Sequence, residues 1–207
     1  FNPNVTIIPT TINTQLFKRK TPYSNNSRVC IGWSGSHTTI KHFESGIPFL
    51  RKIKEKYGDR VQFKVMGDED YLNEELGIKG IPWNSTTEVD VLSGFDIGIM
   101  PLPDDQWVKG KCGLKGLSYM ALEVPTIMSA VGVNTEIIED GTNGFLARTD
   151  EEWVHKLSLL IDSFELRKNM GSLARKTVET AYSHESQKNN YLHHFNELLK
   201  NKKSTFA

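Results

Sequence analysis

Three lysines crowd two glycines in the run VKGKCGLKGL, where Lys109, Lys111 and Lys115 flank Gly110 and Gly113 just as a helical pattern begins. The helix dipole is positive at that end, so cations clustered there call for an anionic partner. A diphosphate meets that demand. A plainer reading also stands, in which the lysines are solvated and paired with Asp104 and Asp105, since exposed ion pairs carry little energy. A second loop, GWSGSHTTIKHF (residues 32–43), offers Gly32 and Gly35 for tight turning and close backbone approach. Ser36 and Thr38 or Thr39 supply hydroxyls and a helix cap, and Lys41 stands in the first turn, beside amides that favour phosphate. This loop is neither a G-x-G-x-x-G fingerprint nor a P-loop, so a phosphate cradle and an ordinary capped β-to-α turn both remain open. Trp83 follows Pro82 at the expected end of a strand, where its ring can meet a base or simply pack.

Other chemistries find little footing. His37, His42, His155, His184, His193 and His194 show no metal-ligand spacing, and Cys30 and Cys112 form no C-x-x-C pair, so no metal is expected. No nucleophile elbow is present, and Cys112 has lysine neighbours but no local base. Lys+Arg and Asp+Glu number 25 each among 207 residues, which argues against nucleic acid as a partner and requires any anion site to be local. A composition of 38% hydrophobic and 24% charged residues is that of a soluble globular protein. No apolar run approaches the roughly 18 residues of a membrane span. The chain opens on Phe1 without the layout of a signal peptide, which suggests a piece of a longer, cytoplasmic protein.

The elements that must position these loops alternate as βαβ units do. Strands are expected at 29–35, 61–68, 78–83, 95–102, 125–131 and 144–148, with helices near 39–57, 70–76, 86–93, 114–123 and 134–139. The strand runs are almost continuously apolar, as in a parallel sheet buried on both faces. The expected fold class is therefore α/β, a Rossmann-like parallel six-stranded sheet with helices on both faces, its ligand loops gathered at the carboxyl ends of the strands. After Arg148 only helical periodicity remains. Asp150 is expected to cap one helix, with Trp153, Leu157 and Leu160 inward. Ser163 caps a second, with Leu166, Met170, Leu173 and Val178 inward, and a third begins near Ser183 and carries Tyr191, Phe195 and Leu198 before a polar, fraying tail. Residues 1–28, with one short strand in VTIIP and a Ser/Asn-rich end, read as a linker outside the core. Residues 29–182 form the Rossmann-like domain, and 183–207 a crossover helix and tail.

Taken in order, IIPTTINTQLF, VQFKVMGD, FDIGIMPL, the block from Gly113 to Leu146 and the helical run after Arg148 resemble the C-terminal domain of family 4 glycosyltransferases of the GT-B fold. The resemblance implies one half of a two-domain enzyme. An absent N-terminal half would bind a glycan or lipid-linked acceptor, and this half would bind a UDP-, GDP- or ADP-linked sugar, with no other cofactor. Transfer of the hexosyl group would be retaining and would serve polysaccharide assembly, at the inner face of the membrane through the absent half. It also implies that residues 81–83 lie beside the base and that Gly113 and Leu114 lie against the sugar and phosphates. Lys111 is then the expected catalytic residue, stabilising the leaving diphosphate. Gly35, Ser36, Lys109 and Lys115 complete the expected donor contacts, and Ser118 stands near the ribose.

The match has departures. The family places two glutamates eight positions apart, where this chain has Gly110 and Ser118, and Glu123 replaces the glycine that closes the helix. A "GKCG" loop with lysines in place of the first glutamate is a variant of the pattern. The alternative is a non-catalytic nucleotide-sugar-binding or scaffold module derived from such an enzyme.

Overall fold

The strand runs build a sheet because every residue of the central strand is buried. In the computed structural model, which describes residues 5–19, 25 and 28–204, β1 (Val29–Ser34) is followed by α1 (Ile40–Glu44), α2 (Ile47–Tyr57) and β2 (Val61–Met66). A small hairpin, β3 (Leu72–Asn73) and β4 (Ile78–Lys79), leads to α3 (Glu88–Ser93), β5 (Ile97–Met100), α4 (Gln106–Lys109), α5 (Leu114–Ala121) and β6 (Thr126–Ser129). Then come α6 (Asn134–Ile137), β7 (Phe145–Ala147), α7 (Asp150–Asp162), α8 (Phe164–Ala181) and α9 (His184–Ser204). The main sheet is parallel throughout, in the order β2-β1-β5-β6-β7. The chain leaves β1 toward β2 on one side and returns to β5 on the other. Their loops part at the carboxyl ends, which is the crevice where open α/β sheets take ligands.

The two faces of β1 differ in kind. Val29, Ile31 and Trp33 pack with α2 and α7, where Phe49 and Trp153 stack with centroids 4.5 Å apart. The opposite face carries small residues because large rings occupy the space. A Cβ on Gly32 would fall 2.2 Å from the Phe95 ring, and one on Gly98 would fall 2.5 Å from the Tyr119 ring. The Tyr119 hydroxyl accepts from Ser34 N at 2.7 Å and shares a hydrogen bond with Ser34 Oγ at 2.9 Å. Burial pushes that phenol above the ordinary range, opposed by the Ser34 bonds. Helix α5 is thereby pinned to the end of β1. Buried Arg167 donates to the last carbonyls of α7, Leu160 O at 2.6 Å and Ile161 O at 3.2 Å, which satisfies a helix end with a cation.

Several sequence expectations need correction. The sheet has five strands, not six: of the run 78–83, only Ile81 reaches it, donating to Val65 O and accepting from Gly67 N. The next bond of a parallel ladder would come from Trp83 N, and none to β2 forms. Residues 70–76 form a hairpin rather than a helix, because Asn73 Oδ1 accepts from Leu76 N at 2.9 Å and Gly77 turns at φ 64°. The helix expected over 39–57 breaks at Ser45–Gly46, since Pro48 is tolerated only at the start of a new helix. Thr149, not Asp150, caps α7 by accepting from Glu152 N, whereas Ser163 caps α8 as expected. Leu173 faces solvent. The short α4 was not anticipated, and α9 runs on to Ser204 where a frayed tail was expected. In the opening segment the described part of VTIIP forms no strand, and Ile12 is buried and bridges Ser183. Arg175 bonds Thr14 O at 2.9 Å and also Phe17 O and Ala121 O, so this stretch is clamped to α5 and α8. Most of the Ser/Asn-rich loop and residues 205–207 lie outside the described residues.

Helix α5 ends in a motif that glycine would serve better. Val124 N donates to Tyr119 O and Glu123 N to Met120 O, with Glu123 at φ 61° as the one non-glycine residue in the left-handed region among the described residues. Glu123→Gly is expected to raise stability by about 1 kcal/mol, seen as a rise in Tm of about 2–4 °C for a chain of this size. Tyr119→Phe should act in the opposite sense, lowering the free energy of unfolding in urea by about 1–3 kcal/mol, because the buried Ser34 N–H loses its acceptor.

Candidate functional site

One wall of the crevice is the loop after β1. Gly35 N donates to Met66 O at 2.9 Å, and a Cβ on Gly67, at φ 114°, would fall 1.9 Å from Gly35 O, so the loops after β1 and β2 lock together. Gly35 has no space for a side chain either, with the Trp33 ring 2.1 Å from its would-be Cβ. Ser36 N donates to Thr39 Oγ1 at 3.0 Å, and the Ser36 hydroxyl lies 2.9 Å from Thr38 Oγ1. These hydroxyls are knitted to one another. Thr39 stands at the cap position of α1 without capping it, contrary to the sequence expectation.

The other wall follows β5. Asp105 Oδ1 accepts from Val108 N at 2.8 Å and so starts α4, while buried Val108 anchors that helix in the core. Gly113, at φ 72°, turns the chain into α5; a Cβ there would fall 2.3 Å from Ile137 Cδ1, so glycine is required by both backbone and packing. Ser129 Oγ accepts from Leu102 N at 2.8 Å and ties the loops after β5 and β6 together.

Folding separates the lysine cluster and adds to it. Lys109 turns to Asp104, 3.1 Å away, in a half-exposed pair of the weak kind. The fields of Lys111, Lys115 and Lys41 instead all reach His42, which is 4% exposed. Burial, then the fields of Lys111, Lys115 and Lys41, hold the His42 imidazole below its ordinary range against an opposing pull from Asp105. The Lys115 ammonium is itself held low, first by burial and then by Lys111. Its Nζ lies 5.6 Å from the Trp33 ring centroid, and Lys111 Nζ lies 5.8 Å from that of Trp107.

The remaining expected residues are placed as follows. Leu114 opens α5 half exposed, and Trp83 is 55% exposed on the loop beyond Ile81. Ser118 is buried on α5, its hydroxyl donating to Leu114 O at 3.0 Å, one turn earlier in the same helix. Gly110 is not demanded by sterics, because a Cβ there would meet only Trp107 O, at 3.4 Å. Two clefts open here. One of about 450 Å³ is lined by Lys41, His42, Pro103, Asp105, Gln106 and Trp107. Another, of about 350 Å³, lies beside Pro103 between the starts of α2 and α7. Among the described residues no three His, Cys, Asp or Glu side chains gather as metal ligands, and no helix is long and apolar enough to cross a membrane.

The family model described as "Glycosyl transferases group 1" matches residues 28–163, from the first strand through α7. The chain belongs to this family. Among solved structures it is similar to S. aureus TarM in a mutant crystallised with fondaparinux, alpha-GlcNAc-glycerol and UDP, at 19% identity and TM-score 0.68, covering 86% of this chain and 37% of TarM. It is similar to Anabaena HepE in complex with UDP and glucose, at 15% identity and TM-score 0.70, covering 90% of this chain and 55% of HepE. The C-terminal domain of the group 1 family protein LpcC from Francisella tularensis matches at 21% identity and TM-score 0.61, covering 83% of this chain and 98% of that domain. Comparison with curated protein sequences gives no match. The fold is one Rossmann-like half of a GT-B glycosyltransferase, and the chain spans well under half of TarM and about half of HepE.

Within that half, sequence reasoning missed His42, Asp105 and Trp107 as wall residues and did not join Lys41 to the other lysines. Only the folded crevice brings them together. His42 is expected to titrate below the usual value of about 6.5, and Lys111→Ala should move its pKa upward, as followed by NMR of the imidazole protons. A folded-state pKa below the unfolded one means that stability is full above about pH 6.5 and falls as His42 in the unfolded chain takes up protons more readily. That acid loss should shrink in Lys111→Ala.

Proposed function

We propose that this chain is the donor-binding half of a retaining glycosyltransferase that moves a hexosyl group from a UDP-, GDP- or ADP-linked sugar to a glycan or lipid-linked acceptor. The observation that carries the reading is the convergence of Lys41, Lys111 and Lys115 at the switch-point crevice of a chain with no net charge. When the glycosidic bond breaks, negative charge grows on the diphosphate, and cations already in place stabilise that state more than the ground state. Lys111 is the residue we assign to the leaving diphosphate, with Lys115 behind it and the Gly35–Ser36 loop beneath. Gly113 and Leu114 lie along the sugar and phosphates, Ser118 lies near the ribose and Trp83 near the base. Lys109, paired with Asp104, serves at the rim. The presence of UDP in the TarM and HepE structures supports a nucleoside diphosphate as ligand.

Residues 1–28 then connect to a preceding acceptor-binding half, 29–182 hold the donor, and 183–207 cross back. Such an enzyme would work in polysaccharide assembly in the cytoplasm, peripheral to the inner membrane through the other half. A second reading, a non-catalytic module that binds nucleotide sugars, is favoured by the absence of carboxylates at Gly110 and Ser118.

Calorimetry of the full-length protein with UDP, GDP, ADP and their sugars tests the first reading, and no binding by any of them would sink it. Lys111→Ala should weaken the preferred nucleoside diphosphate by about 10–100-fold, the equivalent of one charge-assisted contact, and should abolish sugar transfer. A protein that binds the nucleotide yet transfers nothing before the substitution is the second reading.

A further inference from the structure

We infer that the cleft between α1 and α4 is a subsite for a pyranose ring, stacked on the indole of Trp107. The inference rests on the donor reading for its location and goes beyond it in naming a second ligand surface. Trp107 is 77% exposed, an unusual state for the largest side chain, and it stands on a firm mount. Its neighbour Val108 is buried at 1% exposure, Asp105 caps the helix from one end, and Gly110 N donates to Trp107 O at 3.2 Å from the other. An exposed aromatic side chain on a backbone fixed in this way is a contact surface that costs little backbone ordering on binding, and an indole has only two side-chain torsions to fix.

The company of that ring selects the ligand. Of the residues lining the cleft, Pro103 and Trp107 are apolar, while Lys41, His42, Asp105 and Gln106 bring an ammonium, an imidazole, a carboxylate and an amide. A lipid chain or an apolar protein face would desolvate the Lys41 ammonium, the Gln106 amide and the second Asp105 oxygen, at a cost in free energy. A pyranose has a C–H face for the indole and hydroxyls around its edge for the polar groups. About 450 Å³ is a volume within the usual range of small-molecule sites. Lys111 Nζ lies 5.8 Å from the Trp107 ring centroid, so a ring bound there sits next to a cation assigned to the diphosphate. Both the sugar being transferred and the saccharide receiving it must come to that place. Pro103 also walls the second cleft, whose lining includes Arg148 and Asp150, so a saccharide of more than one unit has an adjoining cleft of mixed lining to continue into.

The test compares the full-length wild type with Trp107→Ala and Trp107→Phe. The probes are the nucleoside diphosphate among UDP, GDP and ADP that binds wild type, the same diphosphate carrying glucose, and a glycan array. Trp107→Ala should leave the free diphosphate within about twofold. It should weaken a saccharide-bearing ligand by about tenfold, the scale of one lost aromatic contact, with Trp107→Phe restoring most of it. Weakening of the glucose conjugate identifies the transferred sugar as the occupant, and loss of array binding identifies the acceptor. If diphosphate, conjugate and array binding are all unchanged, or if free diphosphate and conjugate weaken equally, the inference is overturned. A fall in melting temperature with binding unchanged also overturns it and assigns the indole to a contact with the other half of the protein. Should no nucleoside diphosphate bind wild type, the donor reading fails separately. The array alone then decides: glycans bound by wild type and lost in Trp107→Ala sustain the subsite, and none bound overturns it.

Discussion

The hydrogen bonds between the Tyr119 hydroxyl and Ser34, at the buried carboxyl end of β1, set the distance on which the crevice depends. Ser34 is the last residue of the strand and Gly35 the first of the loop, while Tyr119 lies on the helix that carries Lys115. One bond pair therefore relates the two walls. It can form only because the neighbouring strand has no side chain at Gly98, where any Cβ would strike the ring. Small residues on one face of the sheet are thus the condition for a large, satisfied polar side chain on the helix above it, and replacing either member leaves a void or an unpaired buried group.

From that frame follows the electrostatics. The chain as a whole carries no net charge, so the field in the crevice comes from placement and not from composition. Burial and then Lys111 lower the Lys115 ammonium's pKa, and burial and then three ammonium groups lower that of the His42 imidazole. Mutual repulsion of this kind, unanswered by nearby carboxylates other than Asp105, favours an anion at that place.

Much of this was legible in the sequence, and the failures have identifiable physics. Strands buried on both faces advertise themselves as apolar runs, which is why β1, β2, β5, β6 and β7 were readable. The run 78–83 looked like another, yet Ile78–Lys79 pairs with the hairpin strand β3 and only Ile81 reaches β2. Residues 70–76 have helical composition, and a single side chain, Asn73, redirects them into a hairpin. At the site, the lysine cluster stood out by its charge, but three lysines in one run look equivalent until the fold decides which faces Asp104 and which faces the crevice. Lys41 and His42 join from a distant part of the chain, and Trp107 from a helix of four residues, too short for any periodicity to declare.

Whether the missing carboxylates mark a variant site or a decayed one turns on what burial demands. A partly buried ammonium is unfavourable unless an anion answers it. Lys115 bears that load, and the left-handed turn at Gly113 that introduces its helix leaves no space for a side chain beside Ile137. Gly110, by contrast, is not at a crowded position, so a side chain there would meet only the Trp107 carbonyl. The strain at Glu123 sits at the opposite end of α5, where the closing hydrogen bonds form all the same. Its cost therefore falls on stability, while the walls of the crevice keep their geometry.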